Sequence, residues 1–222
     1  MGVIGPVSIP RREVLVLGAG VLTLAVSGCH KKTLWHESDI SGSLPPLSFS
    51  MTDATTGKPV TAGDFLGKVT LLYFGYTLCP DFCPTTLTNL ADVLKKLGAE
   101  AQDVRVLFVT VDPNRDKLPV LKRYVGLFAP QMVGLRGTPD ELAALARRYR
   151  VAYSVTPAHD GRPYEVTHSS LVYVFDQNGN ARLLVDSMAT QKPDVVGAED
   201  DLRRLIEQHR PARWWAKIER AV

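Results

Sequence analysis

Two apolar segments, separated by a helical pattern, restrict this chain to folds that bury a β-sheet. Residues 69–76 (VTLLYFGY) and 104–111 (VRVLFVTV) are nearly continuous apolar runs rich in β-branched and aromatic side chains, which is typical of strands covered on both faces. Between them, leucines recur at helical spacing, at positions 87, 90, 94 and 97. The pattern predicts a strand, a helix and a second strand joined by a right-handed crossover.

The rest of the chain continues to alternate between helical and strand patterns. Three further helices are predicted, at about residues 120–128, 139–149 and 199–209. Residues 170–176 and 181–186 have strand character and flank an Asn-Gly pair, which is a strong signal for a hairpin turn. The sequence therefore predicts one α/β domain, over residues 47–210, that ends with a β-hairpin and a helix.

The N-terminal region has the pattern of an export signal. Residues 14–28 are uncharged and follow the pair Arg11 and Arg12; as a helix they would span about 22 Å, less than the roughly 30 Å of a bilayer core. Residues 1–28 are therefore predicted as a signal peptide. Its end, residues 26–29 (VSGC), resembles a bacterial lipobox, which implies cleavage before Cys29 and a lipid on the Cys29 sulfur.

Two alternatives for this region stay open. An uncleaved signal anchor would also tether the domain, since tilt and bilayer thinning accommodate a short helix. The arginine pair is similar to a twin-arginine signal, although an ordinary basic segment explains it equally well. Each alternative predicts a membrane-anchored domain outside the cytoplasm, on the periplasmic side.

The segments on either side of the predicted domain are polar or basic. Residues 29–46 contain Ser, Gly and Pro and are predicted as a flexible tether. The tail, residues 211–222, places Trp214 and Trp215 among basic residues. Such a tail suits a membrane surface, while packing of a tryptophan onto the domain is the simpler interpretation.

Charge and composition exclude other classes of protein. The chain has 45% hydrophobic and 22% charged residues, which is typical of a globular protein. Its net charge of +3 is small, whereas nucleic-acid binding needs a clustered basic face. No nucleic-acid partner is predicted.

Two of the three cysteines lie where α/β proteins place their chemistry. Cys79 and Cys83 occur in residues 75–84 (GYTLCPDFCP), between the first buried strand and the helix that follows it. The N-terminus of that helix favours thiolate over thiol. At this spacing the Cβ atoms lie about 5–6 Å apart, so both sulfurs can bind one soft metal ion. The same spacing permits a disulfide of poor geometry.

Two thiolates leave a metal ion under-coordinated, so a third ligand is expected among the histidines. His30 and His36 lie in the predicted tether, and His209 lies on the apolar face of the last helix. His159 and His168 remain. His168 immediately precedes a predicted strand, which would fix its position better than a loop fixes His159.

Three segments together resemble the Sco/SenC family. They are residues 75–84, residues 112–116 (DPNRD) and residues 166–169 (VTHS), in that order. The resemblance implies a thioredoxin-like fold with a central mixed sheet, and one copper ion bound by Cys79, Cys83 and His168. It also implies a part in building the binuclear copper centre of cytochrome c oxidase subunit II. Two thiolates and an imidazole suit Cu(I), and oxidation to Cu(II) is compatible with such a site.

Three functions compete for these residues. The first is a metallochaperone, and not an enzyme, that passes copper to subunit II or to another copper-accepting protein. The second is a thiol-disulfide oxidoreductase with Cys79 as nucleophile and Cys83 as resolving thiol, although thioredoxin-type motifs have one residue fewer between the cysteines. The third is an inert disulfide. Asp112 follows the second strand and is expected either to contact the site or a partner, or to cap the Asp-Pro turn.

Overall fold

The computed structural model describes residue 2, residues 35–158 and residues 164–209. Contacts divide the chain between residues 33 and 34 into two units, and apart from Gly2 all described residues belong to the second unit. The predicted signal peptide, Cys29, His159 and the predicted tail lie outside the described residues. Within the described ranges, no helix is both long enough and apolar enough to cross a membrane.

The described residues form a large mixed sheet, a separate two-stranded sheet and four α-helices. The strands are β1 (Ser38–Asp39), β2 (Ser50–Asp53), β3 (Pro59–Thr61), β4 (Val69–Gly75), β5 (Val104–Thr110), β6 (Met132–Arg136), β7 (Tyr153–Thr156), β8 (Glu165–His168), β9 (Val172–Phe175) and β10 (Ala181–Val185). The helices are α1 (Phe82–Leu97), α2 (Leu118–Val125), α3 (Pro139–Arg148) and α4 (Val195–His209). The large sheet has the order β1-β10-β9-β4-β5-β6-β2-β3, and β7 pairs with β8 alone.

The predicted strand-helix-strand unit lies at the centre of this sheet. All residues of β4 are buried, and β4 pairs in parallel with β5 from Val69 opposite Val104 to Gly75 opposite Thr110. On its other side, β4 pairs antiparallel with β9. Tyr73 and Phe108 are fully buried at the heart of the core. The parallel pairing brings the carboxyl ends of β4 and β5 to the same edge of the sheet.

Local hydrogen bonds determine where the helices begin. Thr138 caps α3 by accepting a hydrogen bond from the Glu141 backbone N–H, and the Glu141 carboxylate accepts from the Thr138 N–H. Helix α4 begins four residues before the predicted residue 199 because Asp194 accepts from the Gly197 N–H at 2.9 Å. The predicted C-terminal hairpin forms as β9 and β10, with Gly179 in its turn at φ 80°.

Regular structure is present before residue 47, the predicted start of the domain. Ser38–Asp39 pairs with β10, and the carboxylate of Asp201 on α4 accepts hydrogen bonds from the backbone N–H groups of His36 and Glu37. This part of the predicted tether is therefore built into the fold. A two-residue strand held by main-chain bonds and one distant carboxylate has no alternating apolar pattern by which the sequence could indicate it.

Candidate metal centre

The two cysteines lie on the turn that leads from β4 into α1. The Cys79 N–H donates to the Tyr76 carbonyl at 3.2 Å, and Cys83 occupies the first turn of α1. The Cys83 backbone N–H points at Cys79 Sγ, 3.5 Å away. Both cysteines are free of disulfides, but Cys83 is completely inaccessible whereas Cys79 retains 9% of its surface. The pair therefore has one fully covered cysteine and one slightly exposed cysteine.

His168 ends β8 and brings its ring to the cysteines. Its Nε2 lies 3.2 Å from Cys83 Sγ, and its Nδ1 lies 2.9 Å from the Ser169 carbonyl oxygen. Because a carbonyl only accepts, Nδ1 carries a proton, and Nε2 is the ring nitrogen that faces the cysteines. The ligand atoms of Cys79, Cys83 and His168 all lie within 4.8 Å of one another.

Two tyrosine rings surround the imidazole. The ring centroids of Tyr76 and His168 are 5.7 Å apart at 87°, and those of Tyr73 and His168 are 6.1 Å apart at 75°. Both are edge-to-face contacts, which fix the plane of the histidine ring. The Tyr73 hydroxyl also donates to Cys83 Sγ at 3.7 Å. The sequence predicted neither role, because these contacts join β4 and the turn after it to β8 and α1.

The site holds one thiolate and one thiol. A hydrogen bond from the Cys83 side chain lowers the pKa of Cys79 to about 3, assisted by His168 and by the Asp81 and Cys83 backbone N–H groups. The same hydrogen bond raises the pKa of Cys83, since the proton stays on that sulfur, and burial adds to the effect. Binding a metal ion through both sulfurs would therefore release the Cys83 proton.

A buried carboxylate supports the cysteine turn from behind. Asp116 is completely inaccessible and accepts hydrogen bonds from the Thr77 backbone N–H at 3.0 Å and from the Thr110 hydroxyl at 2.6 Å, as well as from the Thr77 hydroxyl. It joins the residues that follow β4 to the end of β5. Sequence reasoning missed this role, although Asp116 stands just after a buried strand in the quoted segment 112–116.

Asp112 lies beside this support and not among the clustered ligand atoms. Its carboxylate accepts from the Tyr164 hydroxyl at 2.6 Å and pairs with Arg115. It also accepts from the Arg115 backbone N–H at 3.4 Å, as expected of a residue that caps a turn. Among the described residues, the metal-binding group at this edge of the sheet consists of the two cysteines and His168.

Gly75 gives Cys83 the space it occupies. A Cβ atom at position 75 would lie 2.6 Å from Cys83 Sγ and 2.6 Å from Phe108 Cε2, closer than packed atoms approach. Only glycine therefore fits at the last residue of β4. The sequence signal was available, as a glycine that interrupts an apolar strand often marks a close approach.

A second group of possible ligands has a different chemistry. His36, Asp200 and Asp201 also bring ligand atoms within 4.8 Å of one another. However, His36 Nε2 lies 3.3 Å from Asp200 Oδ2, and both carboxylate oxygens of Asp201 accept backbone N–H groups. Those groups are already engaged, and they offer no soft ligand.

Comparisons with other proteins agree with this architecture. The family model described as SCO1/SenC matches residues 44–207. The mitochondrial SCO2 homolog of Mus musculus is 36% identical over 171 residues, which is 74% of this chain and 67% of the mouse protein. The mitochondrial SCO1 homolog of Homo sapiens is 38% identical over 133 residues, 59% of this chain and 44% of the human protein. The chain thus spans only part of the length of these curated relatives.

Solved structures match more completely. ScoI of Bradyrhizobium japonicum, with copper bound, is 38% identical and has a TM-score of 0.63, covering 72% of this chain and 98% of that one. ScoI of Arabidopsis thaliana, with copper bound, is 36% identical and has a TM-score of 0.65, covering 74% and 99%. The predicted thioredoxin-like fold is confirmed. With the family model matching most of the described domain, the chain belongs to the SCO1/SenC family.

Proposed function

We propose that this protein is a membrane-tethered metallochaperone that binds one copper ion through Cys79, Cys83 and His168. The observation that carries the proposal is the convergence of two thiol sulfurs and an imidazole nitrogen within 4.8 Å. Two soft sulfurs and one imidazole suit copper, whereas structural zinc normally takes four protein ligands. The relatives solved with copper bound support the same metal.

The arrangement suits a metal that is carried rather than kept. Two thiolates and a neutral imidazole give a Cu(I) site with a net charge of −1, and three ligands leave room for a fourth donor from an acceptor protein. Cys79, the more accessible sulfur, is the natural point of entry for that donor. As the acceptor takes the ion, the raised pKa of Cys83 favours the return of its proton, which helps the site to release copper.

The acceptor that we propose is cytochrome c oxidase subunit II, whose binuclear copper centre this protein would supply, or another copper-accepting protein. Transfer would take place outside the cytoplasm, on the periplasmic side. The likeness of residues 26–29 to a lipobox supports a lipid anchor at Cys29, with an uncleaved signal anchor as the alternative.

A second function is favoured by the unequal burial of the two free cysteines. A thiolate at the slightly exposed Cys79, beside a fully covered and protonated Cys83, is the pairing used by thiol-disulfide reductases. The Cys79 thiolate would attack a partner's disulfide, and Cys83 would then lose its proton and displace the partner's sulfur. The partner would receive two electrons and that one proton, with solvent supplying the second proton of a dithiol. The chain would be left with a Cys79–Cys83 disulfide.

Copper binding by single variants separates the two functions. We expect reduced wild-type protein to bind one Cu(I), Cys79→Ser and Cys83→Ser to lose the site, and His168→Ala to lose more than about 100-fold in affinity, the upper range for changes outside the ligand shell. His36→Ala, which alters a histidine of the engaged group, is the matched control and should bind like wild type.

Unchanged copper affinity and stoichiometry in His168→Ala would refute the metal assignment. Reduction of a model disulfide provides the comparison. If the metal-free chain reduced the model disulfide rapidly, and Cys79→Ser lost that activity while His168→Ala kept it, the data would favour the reductase function over the metallochaperone function.

A further inference from the structure

The histidine of the proposed copper site lies on a hairpin that is separate from the large sheet. Strands β7 and β8 pair only with each other, with Tyr153 opposite His168 at the end nearest the cysteines. A two-stranded hairpin alone is marginally stable in water. The position of His168 relative to Cys83 must therefore depend on contacts outside the hairpin ladder.

Tyr164, which immediately precedes β8, makes several such contacts. Its hydroxyl donates to Asp112 Oδ1 at 2.6 Å. The guanidinium carbon of Arg115 lies 3.9 Å from the centroid of its ring, and Arg115 Nη1 donates to its carbonyl at 3.3 Å. Arg115 also pairs with Asp112. We call Asp112, Arg115 and Tyr164 the clamp.

The clamp reaches the imidazole by two routes. Through the backbone of β8, Tyr164 is followed four residues later by His168. Through space, Arg115 lies 5.8 Å from the ring centroid of Tyr76, and the Tyr76 ring packs edge-on against His168. Both routes begin in the segment after β5, whose Asp116 also holds the cysteine turn. One segment thus supports the cysteines and the histidine together.

We propose that Tyr164 and Arg115 are positioning residues that hold His168 Nε2 against the cysteine pair. This inference rests on the proposed copper site and deepens it. The clamp makes no contact with the ion; it determines how often the third ligand is in place. Breaking the clamp should weaken copper binding only to the extent that His168 contributes to it.

Copper affinity in two backgrounds tests this dependence. In the wild-type background we expect Tyr164→Ala to lower Cu(I) affinity about 10-fold or more, and Tyr164→Phe, which loses one hydrogen bond and keeps the ring, to lower it less. In the His168→Ala background, adding Tyr164→Ala should cause no further loss. Arg105→Gln, at the opposite end of β5, is the control for removing an arginine and should bind like wild type.

A measurement on the metal-free chain keeps the test independent of copper. Nuclear Overhauser contacts between the rings of His168 and Tyr76 should be present in wild type and in Arg105→Gln, reduced in Tyr164→Phe, and lost in Tyr164→Ala. If wild type failed to bind copper, the proposed function would fall while these ring contacts still decided whether the clamp positions His168.

Two results would overturn the inference. One is a Tyr164→Ala protein that keeps both wild-type copper affinity and the ring contacts between His168 and Tyr76. The other is an equal loss of affinity from Tyr164→Ala in the presence and absence of His168, because the tyrosine would then act on the site by another route. Should Tyr164→Ala not fold, Tyr164→Phe and Arg115→Gln supply the same comparisons.

Discussion

Cys79 and Cys83 share one helical turn and yet hold their protons very differently. The hydrogen bond between them lowers the pKa of one and raises that of the other, because a single proton serves two sulfurs in surroundings with little water. Burial alone would raise both pKa values. The direct contact between the side chains therefore outweighs desolvation at Cys79.

The pH dependence of alkylation should show this difference in the reduced, metal-free protein. A thiolate persists above its pKa, so a pKa of about 3 predicts that Cys79 reacts at a nearly constant rate from about pH 8 down to about pH 5, while an ordinary thiol, with a pKa of about 8.5, loses about tenfold per pH unit. Mass spectrometry after alkylation with iodoacetamide identifies the modified residue.

Two variants at Cys83 check the cause. Cys83→Ala removes the donor, so the apparent pKa of Cys79 should move up toward its ordinary value. Cys83→Ser keeps a hydroxyl that can donate and should retain part of the shift. A steep loss of reactivity in wild type between pH 8 and pH 6 would contradict the assignment of the thiolate to Cys79.

The end of β4 shows how a strand can shape a site without contributing a ligand. Its last residue is Gly75, and the space that a Cβ would fill is occupied by Cys83 Sγ and the Phe108 ring. Close packing leaves no slack for an added methyl group. Cys83 Sγ can therefore occupy its position only because residue 75, on the neighbouring strand, has no side chain.

Gly75→Ala should damage stability and metal binding together. The added methyl group must displace Cys83 or Phe108, so we expect the free energy of unfolding to fall by about 1–3 kcal/mol and copper affinity to fall with it. Urea unfolding and copper titration measure the two effects. Gly63→Ala is the matched control, since its Cβ would lie 3.4 Å from its nearest neighbour. Wild-type copper affinity in Gly75→Ala would show that Cys83 tolerates the shift.

At the scale of the whole domain, the sequence predicts the central strands of the large sheet better than the short strands around them. Buried strands are recognised in a sequence by their apolar runs. The strands β4 and β5, and the helix α1 between them, therefore lie close to their predicted positions. The short strands β1, β3 and β7 have no such runs. Strand β1 pairs with the distant β10, while β3 and β7 each pair with one short neighbouring strand, so no apolar run in the local sequence marks them.

The same distinction applies to the site. Cys79, Cys83 and His168 are found by residue type, by spacing and by resemblance, and the structure brings them together. Tyr73, Tyr76 and Asp116 are ordinary residue types whose contacts with the site depend on the finished fold. Their roles could be assigned only from the folded structure, which brings the ends of β4, β5 and β8 together.

Copper should stabilise the folded chain through all three ligands at once. A ligand at 100 times its Kd adds about 2.7 kcal/mol to the free energy of unfolding when it binds only the folded state. At a fixed free Cu(I) concentration set by a competing chelator, wild type should gain stability and His168→Ala should gain clearly less. The two unfolded chains have the same cysteines, so their difference reports the folded site. Equal gains would mean that His168 is not a ligand.

The outer strands of the large sheet bear on how this protein behaves when many copies are crowded together. The sheet ends on one side with the two-residue strand β1 and on the other with β3, whose Pro59 has no N–H to offer. Short strands and proline at a sheet margin discourage pairing between separate molecules. A domain confined to a membrane surface, as we propose, meets its own copies often. The short outer strands offer few backbone groups for β-sheet pairing between these copies.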